Sequence, residues 1–125
     1  MMFKIEIDAS QQGLRMFLKK WEEEALRVFW SNPQAEFTSR GVCDHVNKRL
    51  QPESISRASI INFLEEMPSI GMLNKKETTG KGGYRGVYTA NMDKSGFKRF
   101  VVETALRALM RSFPEETRLV ISKLI

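Results

Sequence analysis

Four prolines, at positions 33, 52, 68 and 114, punctuate this chain of 125 residues, and glycines at 80, 82 and 83 add a fifth break. A proline inside a helix removes a backbone N–H and collides with the carbonyl one turn earlier, so each of these positions bounds an element. The chain is thereby confined to short helices, one glycine-linked pair of extended runs, and a single longer helix ahead of Pro114.

Apolar spacing assigns the elements within those bounds. Phe3, Ile5 and Ile7 alternate with Lys4 and Glu6, as in a short strand or an extended arm. Leu14, Phe17, Leu18, Trp21, Ala25, Val28 and Phe29 recur at helical spacing. The run reads as one helix or two: Ser10 can cap its start, Gly13 weakens its first turn, and Ser31-Asn32-Pro33 ends it near Trp30. Ser39 is the expected cap of a helix over about 40–50, with Val42, Val46 and Leu50 on one face and Cys43 beside them. Gln51-Pro52-Glu53-Ser54 breaks the chain, and Ser56 caps a third helix whose buried face is Ile60, Phe63, Leu64 and Met67. Pro68 ends or kinks it, and Gly71 suits a left-handed exit. The extended runs 72–77 and 84–90 flank the glycine-rich loop and make a hairpin. Asp93 or Ser95 then opens a helix to about Phe113, followed by a short one over 115–124.

Two helices around a tight turn, followed directly by a hairpin, form a winged helix-turn-helix. The expected fold class is mainly α with a small β-hairpin, extended by a C-terminal dimerisation helix. The expected division is an N-terminal arm over 1–20, a winged-helix DNA-binding domain over 21–91, and dimerisation helices over 92–125.

The charge distribution points the same way. Residues 1–71 carry a net −1, residues 72–91 carry +3 and residues 92–125 carry +3, so the excess of +5 lies wholly in the hairpin and the C-terminal third. Local basic density of this kind is the footprint of a nucleic-acid binder. With 42% hydrophobic and 28% charged residues the composition is that of a globular domain, not a disordered chain. No apolar run approaches the ~18–20 residues of a membrane span, and the first eight residues do not read as a secretory signal. The single cysteine allows no internal disulfide, so the chain reads as cytoplasmic.

The third helix is the candidate recognition helix. With its apolar face buried, Ser56, Arg57, Ala58, Ser59, Ile61 and Asn62 are offered outward near its N-terminal end. Arginine reads guanine bidentately, asparagine reads adenine, serine takes a base or a phosphate, and isoleucine meets a thymine methyl. Glu65 and Glu66 at the other end would repel phosphate, so the N-terminal half is expected to enter the groove. Lys75, Lys81 and Arg85 on the wing, with Arg40, are the expected backbone contacts; the glycines beside Lys81 let the chain approach a phosphate closely. Double-stranded DNA is the expected partner.

Catalytic chemistry finds no support. Gly80-Lys81-Gly82 lacks the Ser or Thr that follows lysine in a nucleotide-hydrolase loop. Cys43, Asp44 and His45 are helical neighbours that point about 100° apart. His45 is the only histidine, and no metal or other cofactor is expected.

Two apolar stripes run along the long C-terminal helix. Phe97, Phe100, Val101, Ala105, Ala108 and Leu109 make one, and Val102, Leu106, Met110 and Phe113 the other. One stripe can pack on the domain; a second copy of the chain can cover the other. Phe97, Phe100, Val101, Ala105, Leu106, Leu109, Met110 and Phe113 are therefore the expected dimerisation residues.

Ser56-Arg57-Ala58-Ser59-Ile60-Ile61-Asn62-Phe63-Leu64, followed by Gly71-Met72-Leu73, resembles the recognition helix and wing entry of the penicillinase-repressor family, with its Ser-x-x-Thr-(Val/Ile)-x-x-Leu-(Leu/Ile) run and Gly-x-(Leu/Ile) at the same distance. Trp30 is similar to the tryptophan that closes the family's first helix, and Tyr84 to Tyr88 to its return strand. The resemblance spans about residues 23–110. It implies a dimeric winged-helix repressor on a pseudo-palindromic operator, with Arg57, Ala58, Ser59 and Asn62 in the major groove and the wing around Lys81 on the backbone. A winged helix that binds protein instead of DNA is the alternative.

Overall fold

The computed structural model describes residues 4–80 and 83–125, with the side chains of 83–85 excepted. Phe3, Lys81 and the side chain of Arg85, all invoked above, lie outside the described residues. The elements in chain order are α1 (Lys20–Ser31), β1 (Phe37–Thr38), α2 (Ser39–Leu50), α3 (Arg57–Glu66), β2 (Leu73–Gly80), β3 (Gly83–Ala90), α4 (Lys94–Ser112) and α5 (Pro114–Leu124), with short 3-10 turns at Gly13–Met16 and Met67–Ile70. Residues 4–8 form no strand.

Each helix start has a local cause. The Thr38 hydroxyl accepts the Gly41 N–H at 3.2 Å, so α2 is capped one residue earlier than Ser39. Ser56 caps α3 as its position requires, accepting the Ser59 N–H at 3.1 Å. Asp93, not Ser95, opens α4 by accepting the Gly96 N–H at 2.7 Å. The first helix departs most from expectation. Gly13 adopts φ +66°, a left-handed conformation that breaks the helical run, and the Ser10 hydroxyl is engaged with Asp8 at 2.6 Å. Helix α1 therefore starts at Lys20, where the Glu22 carboxylate accepts the Lys19 N–H at 2.7 Å. Gly71, at φ +79°, makes the left-handed exit after Pro68.

The sheet has three antiparallel strands in the order β1-β3-β2. Leu73 pairs with Ala90 and Lys75 with Tyr88 along the hairpin, and the two-residue β1 adds Phe37 opposite Tyr88. That edge strand is the short extended piece that the sequence places at Phe37-Thr38 between the first two helices; its pairing with the hairpin is what two residues alone do not show.

One core joins α1 to α4 and the wing. Leu26 and Phe29 of α1, Val42 and Val46 of α2, Ile60, Phe63 and Leu64 of α3, Met72, Leu73 and Tyr88 of the wing, and Phe97 and Val101 of α4 are all buried in it. Leu14 and Leu18 belong to it as well, and Trp21 meets Phe63 edge-on at 5.4 Å. The core thus crosses both expected boundaries, at 20 and at 91. Phe97 and Val101, expected on the dimer face, are instead 1% and 2% exposed, and Phe100 packs against the same cluster. Trp30 faces Phe97 at 5.9 Å, which explains the docking: the first two turns of α4 are held against the end of α1. Cys43 is buried in the core beside Val42.

The turn between α2 and α3 is clamped by Asn47. Its Oδ1 accepts the Ile55 N–H at 2.7 Å and its Nδ2 donates to the Ile55 carbonyl at 3.2 Å. One half-buried side chain thereby satisfies both polar groups of the residue that leads into α3. Asn47→Ala should lower unfolding free energy by about 1–3 kcal/mol, the cost of leaving partly buried backbone groups unpaired. Urea denaturation followed by circular dichroism measures it; a loss under about 0.5 kcal/mol would show that the turn holds without the clamp.

Candidate nucleic-acid interface

Helix α3 buries Ile60, Phe63 and Leu64 and shows the solvent its remaining arc. Arg57, Ala58 and Asn62 are exposed, and neither Arg57 nor Asn62 has a side-chain partner among the described residues. Ile61 is half-buried. Ser56 and Ser59 are partly committed to each other: the Ser56 hydroxyl donates to Ser59 Oγ at 2.9 Å while accepting the Ser59 N–H. The N-terminal half of α3 therefore presents one cation, one amide and a small residue between them, with no internal obligations. Arg40 is exposed in the first turn of α2, also without an ion-pair partner among the described residues.

The C-terminal half behaves differently from the sequence expectation. Glu65 points to the wing. Both of its carboxylate oxygens lie 2.8 Å from Lys75 Nζ, and the Tyr88 hydroxyl donates to its Oε1 at 2.6 Å. Lys75 and Tyr88 are opposite each other across the β2–β3 ladder, so both project from one face of the hairpin toward α3. Gly86 makes the room: a Cβ there would lie 3.1 Å from Lys75 Cε and 3.4 Å from the Tyr88 hydroxyl. The hydrogen bonds from Lys75 and then Tyr88 hold the Glu65 carboxyl below the usual glutamate range. Burial, reinforced by the Glu65 charge, raises the Tyr88 phenol, so it stays protonated and donating.

This bridge changes the electrostatics of the surface. Lys75, expected on the DNA backbone, is an ion-pair partner of Glu65 and only 25% exposed. Lys76 is likewise paired with Glu36 at 2.8 Å, on the segment ahead of β1. The base of the wing is thus close to neutral. Of the basic residues expected at the DNA, Arg57 and Arg40 have no ion-pair partner among the described residues, while Lys81 and the Arg85 side chain lie outside them. Asn47 and Glu36 were not singled out by the sequence, and Glu65 and Tyr88 were named there for other reasons, not as partners of each other. Helical spacing put Glu65 on an outward arc, where it is exposed, and only the strand register, which sets Lys75 beside Tyr88, reveals what it pairs with.

The exposed apolar residues gather elsewhere, on Val102, Leu106 and Leu109 of α4, on Phe113 between the two helices, and on Leu119, Val120 and Leu124 of α5. Ala105 and Met110 are half-buried. Helix α5 is tied to α4 at the corner, where the Thr117 hydroxyl donates to the Leu109 carbonyl at 3.1 Å.

Helix-turn-helix, three-stranded wing and C-terminal helices together decide the architecture. The fold is a winged helix. No family model matches the chain, and no curated protein matches it. Solved structures do. A protein described as a possible transcriptional regulator from Methanosarcina mazei Go1 is similar over 85% of this chain and 78% of its own, with TM-score 0.56 and 10% identity. Bacillus subtilis PadR, in a crystal structure with operator DNA, is similar over 68% of this chain and 45% of its own, with TM-score 0.47 and 16% identity. The likeness at these identities is one of fold. The first of these structures, at TM-score 0.56, agrees with the fold that the penicillinase-repressor resemblance implies, and does not point to that family in particular. Among the described residues no helix is long and apolar enough to cross a membrane, and no cluster of His, Cys, Asp or Glu could hold a metal ion.

A depressed carboxyl in the folded state contributes stability that is complete above the ordinary glutamate value of about 4.3 and is lost as pH falls through the folded value. Glu65→Gln should therefore lose less stability than the parent between pH 5 and pH 3. Urea midpoints at the two pH values make the comparison; equal losses would show that Glu65 is not coupled to the fold.

Proposed function

We propose that this protein is a transcriptional regulator, a repressor, that binds double-stranded DNA in a sequence-specific way as a homodimer on a pseudo-palindromic operator. The observation that carries the reading is the state of α3. Its N-terminal half holds Arg57 and Asn62 exposed and free of side-chain partners among the described residues, while the acidic charge of Glu65 is paired with Lys75 of the wing. A helix arranged so can enter a major groove by its first turns without bringing that carboxylate to a phosphate. Arg57 and Asn62 are then the base readers, and Ala58 lets the helix backbone come close. Ser56 and Ser59, already linked to each other, serve the cap and the nearest phosphate rather than a base.

The wing supplies backbone contacts through Lys81 and Arg85, with Arg40 on the other flank. Lys75 is excluded from this role in our reading, because its charge is used within the protein. Residues 21–91 act as the DNA-binding unit. Residues 92–125 join two copies, through Leu106, Leu109 and Phe113 together with Val102, and the buried Phe97 and Val101 anchor α4 to the domain instead. Two winged helices joined in this way read two half-sites about one DNA turn apart. Repression is the activity that the resemblance to penicillinase repressors implies.

Fluorescence anisotropy on a bound duplex tests the assignment. Arg57→Ala and Asn62→Ala should each cost about 1–3 kcal/mol at particular base pairs and relax preference there. Lys81→Ala should weaken all duplexes about equally and lower the log–log salt slope by about one. Binding unaffected by Arg57→Ala and Asn62→Ala, or independent of salt, would favour a winged helix that docks on protein.

A further inference from the structure

We infer that Glu65 acts as a built-in counter-charge, which withholds Lys75 from DNA and so limits how tightly the reading surface holds a duplex of any sequence. This rests on the DNA-binding reading above and goes further, to the role of a residue outside the proposed contacts. Ala58, Asn62 and Glu65 are all exposed and follow one another at i, i+4 and i+7, so they form a single ridge along α3. Glu65 ends that ridge, about one turn beyond Asn62. Lys75 reaches this end from the wing and sets its Nζ 2.8 Å from both carboxylate oxygens. An ammonium group therefore already stands at the margin of the surface that would enter the groove, with its charge cancelled there.

Two weaker contacts surround the same ammonium. Glu77, two residues along the strand, lies 3.9 Å from Lys75 Nζ and is well exposed, a geometry in which an ion pair contributes little. The Tyr88 ring lies 6.0 Å away, at the outer limit of a cation–π contact. With Glu65 neutral, neither of these holds the ammonium, and it can take a phosphate, releasing a counterion from the duplex. The phenol does not need the charge. The Tyr88 hydroxyl donates to Glu65 Oε1 at 2.6 Å, and an amide oxygen in that place accepts as a carboxylate oxygen does. Glu66 supplies the contrast: it is the next residue along α3, equally exposed, and has no ion-pair partner among the described residues, so it masks no lysine.

A salt series of anisotropy titrations with the full chain tests the inference, on two duplexes of equal length, one enriched from a random pool and one scrambled. Glu65→Gln should bind both roughly 3- to 10-fold tighter at low salt, with a log–log salt slope steeper by about one. Glu65→Gln combined with Lys75→Met should return affinity and slope to those of the parent, because the pair removed is neutral as a whole. Glu66→Gln removes the same charge as Glu65→Gln and should leave the slope unchanged. A double variant with a slope shallower than the parent's by about one would mean that Lys75 already holds a phosphate. A gain in Glu65→Gln that Glu66→Gln matches, or that persists without Lys75, would reduce Glu65 to one charge among others. Either result overturns the inference and leaves the base-reading role of Arg57 and Asn62 standing. A parent chain that binds neither duplex overturns the DNA reading itself, and the inference with it.

Discussion

Helix α3 has one apolar face, and the arrangement of the whole domain follows from burying that face while leaving the opposite arc unused. Ile60, Phe63 and Leu64 go into the core, with Trp21 edge-on to Phe63. The hydrophobic effect is non-directional, so burial alone would leave the helix free to roll or slide. Directional bonds at its two ends remove that freedom. Asn47 holds Ile55 just before the helix, and Lys75 with Tyr88 holds Glu65 in its last turn. Neither constraint uses Arg57, Ala58 or Asn62. The surface proposed to read DNA is oriented by groups that do not themselves face it.

The bridge at Glu65 also couples wing to helix. A three-stranded sheet of which one strand has two residues is a light structure, and its hairpin could swing about its base. The ion pair, the phenol hydrogen bond and the space left by Gly86 fix the hairpin's angle to α3 near its midpoint. Asn91 does the same at the base, donating to the Gly71 carbonyl at 2.9 Å. Helix and the base of the wing are thereby tied together, as simultaneous contact with a groove and the flanking backbone would require.

Features set by neighbours in sequence were readable from it. The Ser56 cap, the apolar stripe of α3 and the left-handed Gly71 each depend on residues within one or two turns. What depended on distant residues was not readable. Glu65 meets partners 10 and 23 positions away, so helical spacing alone left it facing solvent. The start of α1 was ambiguous because Ser10 can serve either a helix or Asp8, and a left-handed Gly13 decides for the latter. Both stripes of α4 were visible, but which one the domain takes depends on where Trp30 sits in space. Trp30 selects Phe97, and Val102, Leu106, Leu109 and Phe113 are left for another partner.

The account's central claim is that α3 reads DNA from its N-terminal half within a two-fold assembly. Selection of bound duplexes from a random DNA pool by the full chain tests it most directly. The account predicts recovery of a palindrome with two half-sites about one helical turn apart, its preferred bases lost selectively when the selection is repeated with Arg57→Ala. A pool that stays unenriched, or an enriched sequence with no two-fold symmetry, would contradict it.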